Sequence, residues 1–132
     1  MQTTKKKEFT YRGKTTEELK SLGVREFAKL LPSRGKRTVL RNFQEHEDFV
    51  SNSKKKIEKG KAVRTHKRDL LVVPEMIGMK IGIHNGKNFL IVEIVGDMLG
   101  HKLGEFAVTR SRVAHSKAGI GATKGSKHKA KK

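Results

Sequence analysis

Residues 79–95 constrain this chain more tightly than any other stretch. Met79–His84 and Lys87–Val95 are two runs of alternating apolar side chains, joined by Asn85-Gly86. Alternation with a period of two marks a strand with one buried face. Asn-Gly between two such runs is the favoured two-residue loop of a type I′ hairpin. That loop fixes a register: His84 pairs with Lys87, Ile83 with Asn88, Gly82 with Phe89, Ile81 with Leu90, Lys80 with Ile91 and Met79 with Val92. One face of the predicted hairpin collects Met79, Ile81, Ile83, Leu90, Val92 and Ile94. The other collects Lys80, Gly82, His84, Lys87, Phe89, Ile91 and Glu93. The first is a core face and needs a cover. The second is mixed and basic, with the Phe89 ring placed to shield the bare backbone of Gly82.

The cover is predicted to be helical. Thr15-Thr16-Glu17-Glu18 has the form of a capping box with Thr15 as N-cap. Leu19, Leu22, Phe27, Leu30 and Leu31 follow on roughly one helical face. Gly23 divides this stretch into two short helices, and Pro32 helps to end the second. A longer helix is predicted over Phe43–Lys59, where Phe43, Val50 and Ile57 recur every seven residues. Its acids lie near the start and its lysines near the end, as the helix dipole favours, and Gly60 supplies a C-terminal stop. Leu70–Val73 is a short apolar run ended by Pro74 and reads as a third strand. In the stretch 96–104, Asp97 suits a helical cap, while Gly96, Gly100 and Gly104 point to tight turns or close backbone approach.

Charge decides what such a chain meets. Among 132 residues there are 31 Lys and Arg against 13 Asp and Glu, a formal charge of +18. No acid follows Glu105. A second basic block runs from Lys54 to Arg68 with Glu58 as its sole acid, and Arg34, Lys36, Arg37 and Arg41 form a third. This charge repels itself in a compact state and calls for a polyanion, most simply a nucleic-acid backbone. The hydrophobic share is 34%, enough for a thin core. Residues 111–132 hold only Val113 and Ile120 as larger aliphatics, so they are expected to be disordered when free and to order on a polyanion.

Several chemistries are excluded or unsupported. There is no cysteine, hence no disulfide, thiolate ligand or cysteine nucleophile. No apolar run exceeds four residues, which is too short to cross a membrane, and the N-terminus lacks a secretory h-region. The composition is that expected of an intracellular, soluble protein. His46, His66, His84, His101, His115 and His128 are too far apart in sequence for the usual metal-binding spacings and read as surface or RNA-contacting histidines. Gly119-Ile120-Gly121-Ala122-Thr123-Lys124-Gly125 fails the phosphate-loop templates. No paired carboxylates or Ser-His-Asp set can be argued. Neither an enzyme activity nor a cofactor or metal is expected.

Three motifs go further. They are Arg64-Thr65-His66-Lys67-Arg68-Asp69-Leu70-Leu71-Val72-Val73-Pro74-Glu75-Met76-Ile77-Gly78, then Ile83-His84-Asn85-Gly86-Lys87, then Gly100-His101-Lys102-Leu103-Gly104-Glu105-Phe106-Ala107-Val108-Thr109-Arg110. In this order and spacing they resemble the small-subunit ribosomal protein nineteen family. Leu30-Leu31-Pro32, and Gly119-Ile120-Gly121-Ala122-Thr123 after Arg112-Val113-Ala114-His115, resemble its archaeal and eukaryotic branch. The likeness covers about residues 15–125. Ala118, where related tails carry Pro, and the Lys-rich end depart from it.

The resemblance implies an α+β fold: a small three-stranded, mainly antiparallel sheet packed with helices, an N-terminal helical extension and a basic C-terminal tail. The implied division is 1–14, a basic N-terminal segment; 15–60, helical; 61–110, the sheet-containing RNA-binding core; and 111–132, the tail. It also implies a cytoplasmic, ribosome-associated protein that binds the 3′ major domain of small-subunit rRNA in the head, beside ribosomal protein thirteen. The tail would reach towards the decoding centre and the tRNAs. RNA contacts carried over by motif are Arg64, His66, Lys67, Arg68, His84, Asn85, Lys87, His101, Lys102, Thr109, Arg110 and Arg112. Arg34 and Arg37 from the third basic run, Lys80 from the sheet face, and His115 and Lys124 from the tail complete the expected set. No membrane or DNA partner is expected. The rival reading is a DNA-compacting, architectural protein, which explains the charge but not the motifs. A peripheral membrane protein fits worse, because the Phe43–Lys59 helix is acidic in its first half.

Overall fold

In the computed structural model, which describes residues 8–112, Thr15 opens the first helix as its sequence predicts. Its hydroxyl accepts from the Glu18 N–H at 3.4 Å, and its own N–H donates to the Glu18 carboxylate at 3.0 Å. Two short strands lead in, β1 (Thr10–Tyr11) and β2 (Lys14–Thr15). The intervening Arg12 and Gly13 both have positive φ, 52° and 78°, as a two-residue I′ loop requires. Four helices follow: α1 (Thr16–Ser21), α2 (Val24–Ala28), α3 (Ser33–Arg41) and α4 (Phe43–Glu58). Gly23 separates α1 from α2 as expected. Leu19, Val24, Phe27, Ala28 and Leu31 are buried along this stretch. Pro32 not only ends the preceding turn but stands at the N-cap of α3, a helix that the apolar pattern does not announce. Val39 is its one buried side chain, so no stripe repeats along it.

The α4 boundaries agree with the predicted helix, and its C-terminus closes as a Schellman motif. The Lys61 N–H donates to the Lys56 carbonyl at 2.8 Å and the Gly60 N–H to the Ile57 carbonyl at 2.9 Å, with Gly60 at φ 64°. The buried face differs from the heptad reading. His46, Val50 and Ser53 face the core, while Ile57 is 47% exposed. His46 is therefore not a surface histidine. Its Nε2 accepts the Leu71 N–H at 3.1 Å, so the proton sits on Nδ1, which donates to the Asn42 carbonyl at 2.8 Å.

The main sheet contains β3 (Val63–Thr65), β4 (Lys80–His84) and β5 (Phe89–Glu93) in that spatial order. β4 and β5 are antiparallel, but β3 runs parallel to β4, so the sheet is mixed rather than mainly antiparallel. The hairpin register is displaced by two residues from the expected one: His84 pairs with Phe89, Ile83 with Leu90, Gly82 with Ile91, Ile81 with Val92 and Lys80 with Glu93. The loop is Asn85–Asn88, and the cause is the Asn85 side chain. Its Oδ1 accepts the N–H groups of Lys87 at 3.0 Å and Asn88 at 2.8 Å, holding a longer turn. Only Gly86 there has positive φ, whereas type I′ needs two such residues. A shift of two keeps every side chain on its face. Ile81 and Ile83 are accordingly fully buried, each contributing roughly 1.5–3 kcal/mol by leaving water.

Leu70–Val73 is not a strand of this sheet. It crosses the core as an extended segment with all four side chains buried. Its backbone pairs with the glycine-rich stretch: Val72 N–H to the His101 carbonyl at 2.8 Å, Gly100 N–H to Val72 at 3.1 Å and Leu103 N–H to Leu70 at 2.9 Å. Together with a 3₁₀ turn at Pro74–Met76 it forms the crossover that a parallel β3–β4 pair needs. Asp97 lies inside a 3₁₀ turn, Gly96–Met98, and its side chain caps nothing. A last 3₁₀ turn spans Leu103–Phe106. One hydrophobic core joins the helices, the crossover and the inner sheet face. The expected disorder of the tail, and the assignments to His115 and Lys124, lie outside the described residues.

Candidate nucleic-acid interface

The outer face of the sheet carries the residues of opposite parity to Ile81 and Ile83. Arg64 on β3 stands beside Gly82 on β4, which stands beside Ile91 on β5. Lys80 lies opposite Glu93 at one end and His84 opposite Phe89 at the other. Ile91 is 71% exposed, so among the described residues nothing covers the middle of this face. The bare Cα of Gly82 lets the neighbouring chains close over it: a Cβ there would sit 3.3 Å from the Arg64 side chain and 3.5 Å from Phe89.

At the hairpin end three rings meet. The centroids of His66 and His84 are 4.4 Å apart, those of His66 and Phe89 5.0 Å, and those of His84 and Phe89 4.9 Å. The Arg64 guanidinium lies 5.5 Å from the Phe89 centroid, within cation–π range. The buried Thr65 turns the chain at the end of β3 by accepting the Lys67 N–H at 3.0 Å, and His66 is exposed beside it. His84 Nδ1 accepts the Gly86 N–H at 3.1 Å, leaving Nε2 as the donor of that ring. Arg64 also walls two clefts. One, of about 560 Å³, runs along the open sheet face past Ile57, Met79, Lys80 and Ile91. The other, of about 350 Å³, lies between α4 and β3 and is lined by Asn52, Lys56, His66 and Lys67.

The expected contact residues divide into groups. Arg64, His66, Lys80 and His84 share the sheet face, with Asn85 and Lys87 on the adjoining loop. Lys67 is exposed and pairs loosely with Glu45 at 3.6 Å. Arg68 turns inward. Its Nη1 donates to the His84 carbonyl at 2.5 Å, and its Nη2 to the carbonyls of Gly104 at 2.7 Å and Ala107 at 2.6 Å. It clamps the hairpin to the last 3₁₀ turn. His101 and Lys102 lie on the segment paired with the crossover, where Glu105 accepts from Lys102 N–H at 3.3 Å and meets His101 Nδ1 at 2.8 Å. Thr109, Arg110 and Arg112 follow and are exposed. Arg34 and Arg37 are exposed on α3, which packs on α2 and α4 rather than on the sheet face.

Phe89 is the residue that sequence reasoning undervalued. Its parity with His84 was readable, but the pairing that brings the rings together depends on the loop length. Among the described residues no three His, Asp or Glu side chains converge to hold a metal ion.

The family model described as "Ribosomal protein S19" matches residues 34–115, from α3 past the last 3₁₀ turn. A curated relative from Methanocella arvoryzae, "Small ribosomal subunit protein uS19", is 48% identical over 124 residues, covering 94% of this chain and 87% of its own length. The matched region contains the whole sheet, the crossover and the Arg68 clamp. On both comparisons, the chain belongs to the S19 family of ribosomal proteins.

Proposed function

We propose that this protein is a structural constituent of the small ribosomal subunit and that it binds small-subunit rRNA without chemistry of its own. The observation that carries this reading furthest is the open sheet face. Arg64 lies beside the ring cluster there, Lys80 stands at the other end of the face and Lys87 on the adjoining loop, and none of the three cations has an ion-pair partner among the described residues. Uncompensated cations on a rigid sheet suit phosphates, and exposed rings suit RNA. Residues 61–110 are assigned as the RNA-binding core, 15–60 as its helical cover, 1–14 and 111–132 as basic arms. The family resemblance supports a place in the subunit head, on the 3′ major domain, beside ribosomal protein thirteen, with the C-terminal arm directed towards the decoding centre and tRNAs. The contact set is Arg64, His66, Lys67, Lys80, His84, Asn85, Lys87, His101, Lys102, Thr109, Arg110 and Arg112, with Arg34 and Arg37 as a second patch. Arg68 acts by holding the backbone that presents them.

The test is sedimentation of the tagged protein from lysate on sucrose gradients at high and then low magnesium. Migration with whole ribosomes, then retention on the small subunit through a moderate salt wash, is expected. Release by a DNA-specific nuclease would establish the architectural reading instead. If about 6–10 phosphates are contacted, binding of isolated rRNA should weaken by roughly three to five decades between 50 and 200 mM salt, using the duplex-DNA scaling as a guide.

A further inference from the structure

We infer that the His66–His84–Phe89 cluster is a stacking site for an unpaired nucleobase of a single-stranded RNA segment. The inference rests on the rRNA-binding reading and names the part of the RNA that this patch takes. Phosphate binding alone does not account for the residue types. A phenyl ring has nothing to offer a phosphate, and sequence-neutral phosphate binding needs only Lys and Arg. Here Phe89 stands half-buried on the outer face of the sheet, with two neighbouring imidazoles against one side of it at 5.0 and 4.9 Å and a guanidinium at 5.5 Å.

The two imidazoles differ in what they leave free. His84 is half-buried and its Nδ1 is occupied by the Gly86 N–H, which fixes the ring. His66 is exposed and lies at 40° to His84, the outer member of a short tilted stack. Its outer face is where a base adds as the next layer. The Nε2–H of His84 is the donor available for an edge of that base or its 2′-hydroxyl. Charge complementarity selects the occupant. Arg64 lies over the Phe89 ring, Lys87 is on the adjoining loop, and Glu93 is at the far end of the face opposite Lys80, while Asp48 lines the cleft beside His66 together with Lys56 and Lys67. Planar rings backed by Arg are the chemistry with which proteins hold splayed, single-stranded bases.

The experiment uses the full chain and two probes of equal charge, octauridylate and an abasic ribose-phosphate octamer, at fixed salt. Stacking on an aromatic platform corresponds to about a 5- to 150-fold preference per base. Wild type is expected to prefer octauridylate by at least about fivefold. His66→Ala and Phe89→Leu should each reduce that ratio towards one, with His66→Ala keeping the wild-type far-UV spectrum because the residue is exposed. Lys80→Ala should weaken both probes alike and leave the ratio unchanged. Equal affinity of wild type for the two probes, or an undiminished ratio in both ring variants, overturns the inference. Binding of uridine monophosphate as tight as octauridylate also overturns it, since the occupant would then not be a strand. Failure of the rRNA-binding reading shows separately, as absence from the small subunit on gradients.

Discussion

Arg68 sits next to Lys67 in a basic string, and the two should respond oppositely to mutation. The Arg68 fork donates three hydrogen bonds to carbonyls on two separate segments, at 2.5, 2.7 and 2.6 Å. Hydrogen bonds to charged groups contribute about 1.5–3 kcal/mol each. The site is half-buried, so water replaces part of what is lost. Arg68→Ala should therefore cost about 2–4 kcal/mol, well below the gross sum. For a domain of this size that lowers the melting temperature by roughly 10–20 °C. Arg68→Lys keeps the charge but loses the planar fork, and a single ammonium on a different stem cannot reach three carbonyls at once. It should still cost about 1–3 kcal/mol. Lys67→Ala removes one exposed cation with a loose 3.6 Å ion pair and should change stability by less than about 1 kcal/mol. Urea unfolding followed by far-UV circular dichroism measures all three. An Arg68→Lys protein within about 0.5 kcal/mol of wild type would refute the clamp, because charge alone would then suffice.

The remaining expectations concern the core and one surface pair. His46→Ala leaves the buried Leu71 N–H without its acceptor and opens a cavity, and should lower the unfolding free energy by about 2–4 kcal/mol, read as a lower urea midpoint at unchanged slope. A result under about 0.5 kcal/mol would mean that the helix and crossover are not joined there. Gly104→Ala places a Cβ 2.9 Å from the Arg68 carbonyl oxygen, a backbone atom that cannot step aside, and should cost about 1–3 kcal/mol in a thermal melt. Lys54→Ala breaks the ion pair with Glu75, whose lysine is half-exposed, and should shift stability by less than about 1 kcal/mol.

Local signals in the sequence carried much of the fold. The Thr15–Glu18 box, the Gly23 break, the span of α4 and its Gly60 stop depend on residues within a few positions of one another. The parity of the hairpin was equally legible despite the wrong register: Ile81, Ile83 and Ile94 are buried, but Leu90, expected on the core face, is 45% exposed on the edge strand β5. What escaped was decided by hydrogen bonds that a linear pattern does not carry. The Asn85 side chain lengthened the loop. The backbone of Leu70–Val73 paired with residues 100–103 instead of with a strand, although its composition suits a strand equally well. His46 and Arg68 are polar, and polarity alone placed them outside. Each is turned inward by backbone groups 16 to 39 residues away. The proposed contact residues were identifiable as basic and clustered, but their division into sheet face, clamp and α3 patch required the three-dimensional arrangement.

The parallel pairing of β3 with β4 has a consequence for the order of assembly. β3 is closed onto the sheet through residues 66–79, a connection with one short 3₁₀ turn and no α-helix of its own. That connection is held by Val72 and Leu70, whose partners are His101, Gly100 and Leu103. The edge of the sheet is therefore fastened by a segment that follows the sheet in the chain. The β4–β5 hairpin can close locally, but β3 pays its loop-closure entropy before those later residues reward it. During synthesis, α1–α4 and β3 leave the ribosome first, with half of their core still to come. A nascent chain ending before Leu99 lacks Gly100, His101 and Leu103, the partners that hold this connection in the complete fold.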